Sequence, residues 1–128
     1  MKHWRSISDE PNSPLVREHL KQGLAAITGE RFEDAAVFYT HYFKGQTVLD
    51  IGMVGHAIEN SFKADWRHDN IRSVAARTVG IDIVEKAVLE LRQKGYDVRL
   101  VDATSEADLG ERFQRVVLGD VIEHVDNP

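Results

Sequence analysis

Apolar residues recur along this chain with two different periods. Near the N-terminus Val16, Leu20, Leu24 and Ile27 are spaced by four, four and three residues, which predicts one apolar helical face. Ser13 followed by Pro14 supplies an N-cap and a first helical residue, and Gly29 stands where that helix would end. A second helix is predicted over Arg31 to Phe43, with Phe32, Ala36, Tyr39 and Phe43 on one side and Gly45 closing it. The polar stretch Met1 to Asn12 reads as a loose terminus. Beyond it the period shortens: β-branched runs at Thr47 to Ile51, Ser73 or Thr78 to Ile81, Asp97 to Val101, and Arg115 to Leu118 predict strands. Between the second and third, Val84, Val88 and Leu91 predict a helix that Gly95 stops. The segment His56 to Arg77 predicts two helical pieces, one carrying Ile58, Phe62 and Trp66 and one carrying Ile71, Val74 and Ala75. Arg67-His68-Asp69-Asn70 reads as a polar interruption between them.

Strands alternating with helices imply an α/β fold whose parallel strands are joined by crossover helices. The organisation expected is an N-terminal helical extension over residues 1–46 and a sheet domain over residues 47–128, with no repeat and no linker. A length of 128 residues suits one core, and 42% hydrophobic with 29% charged residues suits a soluble globular chain. Net charge is −5 and the 16 basic residues are scattered, which argues against nucleic acid as a partner. No apolar run approaches the roughly 18 residues that span a bilayer, and Met1 to Glu10 has no apolar signal core, so a cytoplasmic protein without membrane attachment is expected. The absence of cysteine removes disulfides, thiolate metal sites and thiol nucleophiles. His41, His56 and His68 lack metal-ligand spacing, so no metal is expected.

The chemistry should gather at strand ends, because in open α/β sheets ligands bind beyond the carboxyl ends of the strands. Thr47-Val48-Leu49-Asp50-Ile51-Gly52-Met53-Val54-Gly55 is a strand running into a glycine-containing turn, where Gly52 and Gly55 would let a ligand approach the backbone. A glycine at such a place also serves as a plain turn. Val79-Gly80-Ile81-Asp82 ends in a carboxylate able to accept hydrogen bonds from two ribose hydroxyls, or else to cap the helix beginning near Val84. Asp102 follows the third strand, and Gly119-Asp120-Val121-Ile122-Glu123-His124 follows the fourth. If the strands are parallel, all of these converge on one crevice.

Taken in order, VLDIG, VGID, the Asp102-Ala103 pair and VVLGDVIEHVDNP resemble the successive motifs of class I S-adenosylmethionine-dependent methyltransferases, notably bacterial small-molecule and sugar-pathway members. The resemblance runs from about Val48 to Pro128. It implies a Rossmann-like parallel sheet with flanking helices, here about four strands in the order 3-2-1-4. It implies S-adenosylmethionine as cofactor and S-adenosylhomocysteine as product. Asp50, Gly52 and Gly55 would surround the amino-acid end, Asp82 would take the ribose, and Ile83 would pack on adenine. Asp102 would face the adenine amino group, the Ala103 amide a ring nitrogen, and Gly119 with Asp120 would underlie the methionine portion. Two departures stand out: Val54 and His56 occupy later turn positions that are glycine in the family, and Asp82 follows Asp50 by 32 residues, implying an enlarged first crossover around Trp66. The family sheet has seven strands, whereas Thr47 to Pro128 offers 82 residues, enough for four. A truncated domain with an exposed fourth strand is therefore expected, and with it a homo-oligomer, a swapped assembly or a partner chain covering that edge.

Methyl transfer is an in-line displacement in which the protein chiefly positions the reactants. His124 is the candidate general base, or a histidine that only bonds its neighbours, while Glu123 and Asp120 would shape the pocket. Phe38, Tyr39, Tyr42 and Phe43 would form either a lid over the small-molecule acceptor or core packing. Two other readings are carried. An NAD-binding oxidoreductase expects G-x-G-x-x-G, and Gly52-Met53-Val54-Gly55 lacks its first glycine. A non-catalytic methyltransferase-like module would bind a nucleoside ligand or a protein partner without turnover.

Overall fold

The computed structural model describes residues 6–10, 12–26, 29, 32, 34–54, 59, 63 and 65–125. Two compact units divide the chain, residues 1–32 and residues 33–128. The first holds helix α1 (Pro14–Ala26), which starts where Ser13 and Pro14 predict. The Ser13 hydroxyl accepts from the Val16 amide at 3.3 Å, satisfying one donor that the first helical turn leaves unpaired, and its carbonyl accepts the first intrahelical bond from Arg17 at 3.0 Å. Val16 is buried, whereas Leu20 and Leu24 are exposed.

In the second unit, α2 (Ala35–Phe43) begins later than the Arg31 of the sequence reading. Asp34, in extended conformation, accepts from the Ala36 amide at 2.7 Å, and this cap sets the helix start. After the Gly45 turn at φ +70° come β1 (Thr47–Ile51), α3 (Arg67–Val74), β2 (Arg77–Asp82), α4 (Glu85–Gln93), β3 (Val98–Leu100) and β4 (Arg115–Leu118). A short 3-10 turn follows at Ile122–His124. The strands form one parallel sheet in the order β3-β2-β1-β4, the α/β Rossmann-like layout expected. Its register pairs Leu49 with both Val79 and Val116, and Ile51 with both Ile81 and Leu118.

The side-chain period of two divides the sheet into two faces. One face carries Val48, Asp50, Val98 and Val117. Phe43, Val48 and Ile71 form one cluster there, with Tyr39 and Val117 against it, while Met53, Val54, Trp66, Ala87, Val88, Leu91 and Val98 form a second. The opposite face carries Leu49, Val79 and Ile81, met by Leu109 and Phe113. The aromatic group of α2 thus splits: Phe43 and Tyr39 are core, and Phe38 and Tyr42 are partly exposed. β4 is bonded to β1 and is outermost in the sheet, with Val116 54% and Leu118 53% exposed.

The helix corrections lie between β1 and β2. Residues 67–70, read from sequence as an interruption, are the first turn of α3, and Trp66 caps that helix rather than belonging to an earlier one. Ser73 is inside α3, so β2 starts only at Arg77. The expected helical piece around Ile58 and Phe62 lies outside the described residues. An ion-pair group ties the β3 to β4 connection to the sheet: Arg77 bonds Asp97 at 2.7 Å and also Glu111, and Arg99 bonds Glu111 and, at 3.0 Å, the Leu109 carbonyl. The two guanidiniums hold the Glu111 carboxyl below its ordinary range, and the paired acids raise Arg77 further. Among the described residues no helix is long and apolar enough to cross a membrane.

Candidate functional site

A cleft of about 660 Å³ opens at the carboxyl ends of the four strands. All of them run the same way, so every turn leaving a strand tip reaches this one edge. Its floor is the turn after β1. Gly52 has φ +68°, a left-handed conformation that costs other residues roughly 1–2 kcal/mol, and a Cβ there would lie 2.2 Å from the Val121 Cγ2. The Gly52 amide still donates to Ile81 O at 2.9 Å. Trp66 Nε1 donates to Met53 O at 2.7 Å, so the first crossover, just before α3, clamps the turn from outside.

Asp82, at the tip of β2, holds the same turn from the other side. Its Oδ2 accepts from the Val54 amide and its Oδ1 from the Val84 amide, both at 3.0 Å. A carboxylate offers about four acceptor positions, so two remain for a ligand. The residue lines the cleft, with Ile83 beside it 70% exposed. The N-cap of α4 is Val84, without a side-chain cap bond, and Asp82 instead fixes the entry to that helix through the Val84 amide while lining the cleft.

Asp102 and Ala103 follow β3 and line the next wall. The Asp102 Oδ1 accepts from the Thr104 hydroxyl at 2.7 Å and from the Thr104 amide at 2.8 Å. These bonds favour the ionised form and hold the Asp102 carboxyl below its ordinary value of 3.8, the hydroxyl contributing most. This contribution to stability is fully present above that value and is lost as pH falls through the lower folded one. Thr104→Val is expected to move the Asp102 carboxyl back up toward 3.8, measurable by carbon-detected NMR titration; an unchanged titration would show that the hydroxyl does not act.

Gly119, Asp120 and His124 complete the opposite wall beyond β4. Asp120 has φ +56°, among the described residues the one non-glycine in that region. Aspartate tolerates the left-handed region better than most residues do, and outliers of this kind concentrate at functional sites. His124 lies in the 3-10 turn, its amide bonded to Val121 O at 2.9 Å.

Of the residues singled out from sequence, Gly52, Asp82, Ile83, Asp102, Ala103, Gly119, Asp120 and His124 all line this cleft. Gly55 lies outside the described residues. Asp50 is placed differently from the expectation. It is fully buried beneath the cleft, accepting from Arg67 Nε at 3.1 Å through Oδ1, which is also ion-paired with Nη2 at 2.9 Å, and from His68 Nδ1 at 3.0 Å through Oδ2. An ionised carboxylate only accepts, so His68 carries its hydrogen on Nδ1, and its Nε2 is buried without a partner among the described residues. Asp50 thus reaches the cleft through Arg67, which does line it.

Arg67, Trp66, Thr104 and Val121 are among the site residues that the sequence did not single out. One signal pointed at Arg67: an acid inside the apolar strand Thr47–Ile51 shares a face with Val48, and a buried carboxylate requires a cationic partner. Among the described residues no cluster of three metal-ligating side chains occurs. No protein-family model, no curated protein and no solved structure matches this chain.

Proposed function

We propose that the cleft binds S-adenosylmethionine and that the protein is a methyltransferase acting on a small-molecule acceptor. The observation that supports this most is the convergence of four strand ends on one cleft. A glycine turn at φ +68°, a carboxylate after β2, a carboxylate with a small residue after β3, and Gly119-Asp120 after β4 all line it. A nucleoside with an amino-acid tail asks for this set: a bare backbone turn beneath the tail, acceptors for two ribose hydroxyls, and an acceptor for an exocyclic amine.

In this reading Asp82 takes the ribose hydroxyls and Ile83 covers the adenine. Asp102, kept ionised by Thr104, accepts from the adenine amine, and Ala103 serves a ring nitrogen. Gly119 and Asp120 lie under the methionine portion. When bound, the cofactor supplies an electrophilic methyl group on a sulfonium. What the chain's own residues contribute is position, worth up to about 7–11 kcal/mol of barrier in well-oriented systems. His124, on the wall beyond β4, accepts the acceptor's proton where that acceptor is a hydroxyl.

Calorimetric titration with S-adenosylhomocysteine tests the reading, with NADH as the competing ligand. Saturable one-to-one binding of the homocysteine adduct and none of NADH is expected. Binding of NADH alone would replace the methyltransferase reading with a nicotinamide one. Binding of the adduct without methyl transfer to any acceptor would favour a nucleoside-binding module.

A further inference from the structure

We propose that Arg67 is the cleft's receptor for a carboxylate, and that it reads the α-amino-acid end of the ligand. This rests on the nucleoside reading of the cleft given above. The guanidinium is already fixed by the fold: Nε donates to Asp50 Oδ1, and Nη2, ion-paired with the same oxygen at 2.9 Å, donates to the carbonyls of Ile51 at 3.4 Å and Gly52 at 3.2 Å. Those contacts occupy one side of the fork. Nη1 makes no hydrogen bond to a described residue, and it lies against Gly119, where a Cβ would sit 1.7 Å away. The side chain is 22% exposed and lines the cleft.

A guanidinium pinned on one side with donors open to a cleft is prepared for an anion, because little side-chain entropy remains to be lost. Its surroundings decide which anion. Asp82, Asp102 and Asp120 put negative charge on the other walls, so a polyanion such as a diphosphate is disfavoured. Asp120 directly follows Gly119, the residue under Nη1, and lines the same cleft as Arg67. A cleft that one guanidinium and several carboxylates line together matches a group that carries both signs on one carbon, an α-amino acid. The spacing also suits one ligand. Arg67 holds the Gly52 carbonyl and Asp82 holds the Val54 amide, and two residues of chain span at most about 7 Å. Amino-acid end and ribose therefore fall on either side of one turn. Gly119 is explained at the same time: it is bare so that Arg67 can lie across it.

The test compares two ligands on the full chain by calorimetry, S-adenosylhomocysteine and its decarboxylated analogue, which keeps the amino group. The wild-type protein is expected to bind the analogue roughly tenfold to a hundredfold more weakly. In Arg67→Gln, checked for folding by circular dichroism, that gap is expected to close while the analogue's affinity stays nearly constant. Equal affinity of the wild type for both ligands would overturn the receptor role and leave the nucleoside cleft standing. Binding of neither would remove the cleft reading and the receptor with it. The wild-type comparison decides even if Arg67→Gln does not fold, since it needs no variant.

Discussion

Asp50→Ala is expected to be the most destabilising single change in the sheet unit, by about 3–5 kcal/mol. The carboxylate is fully buried and bonds both Arg67 and His68, so its loss strands a guanidinium and an imidazole N–H in a space built for an anion. Single domains are stable by only about 5–15 kcal/mol, so this is a large fraction of the total. The measurement is a urea unfolding curve, in which the midpoint should fall by about 1–3 M for an ordinary slope. Arg67→Ala should cost less, because Asp50 then keeps its bond to His68 and Arg67 is partly exposed. If Asp50→Ala unfolds within about 0.5 kcal/mol of the wild type, typical of an inert surface position, the buried network is not what fixes the start of α3.

The second large effect is on binding. Asp82→Ala is expected to weaken S-adenosylhomocysteine by about tenfold or more, at least about 1.4 kcal/mol. Two causes combine. In the proposed binding mode the ribose loses its acceptor, and the turn loses the two bonds that tie the Val54 and Val84 amides to Asp82. A 2′-deoxy form of the ligand separates them: wild type should prefer the hydroxylated ligand, and Asp82→Ala should not distinguish the two. An equal preference in both proteins would reduce Asp82 to a scaffold residue.

These two aspartates show where reading along the chain succeeds and where it stops. Both sit near the end of a strand that is apolar and β-branched, and both were candidates for the site. The register places them on one sheet face, since Asp50 pairs with Gly80 and Asp82 lies two residues further on. Two residues of strand advance decide their different fates. Asp50 falls within β1 under α3, while Asp82 ends β2 at the cleft. No period in the sequence reveals what α3 brings down onto Asp50, because that depends on a helix 17 residues later whose polar first turn looks like a loop.

By itself the sequence determined the elements whose signals are local. β1 and β4 fall at their expected bounds, because short β-branched runs bordered by glycine or polar turns have one reading. α1 starts at Pro14 because a serine before a proline is a strong local cap. The α/β class and the cleft at the strand tips followed from the alternation of periods. The tertiary structure alone decided that Arg67 and His68 are anchored to Asp50, that Gly119 is bare beneath a guanidinium, and that Asp82 divides its lone pairs between two amides and the cleft. The physical reason is the same in each case. Burying a charge is costly unless a partner meets it, and partners meet across sequence distances that no local pattern records.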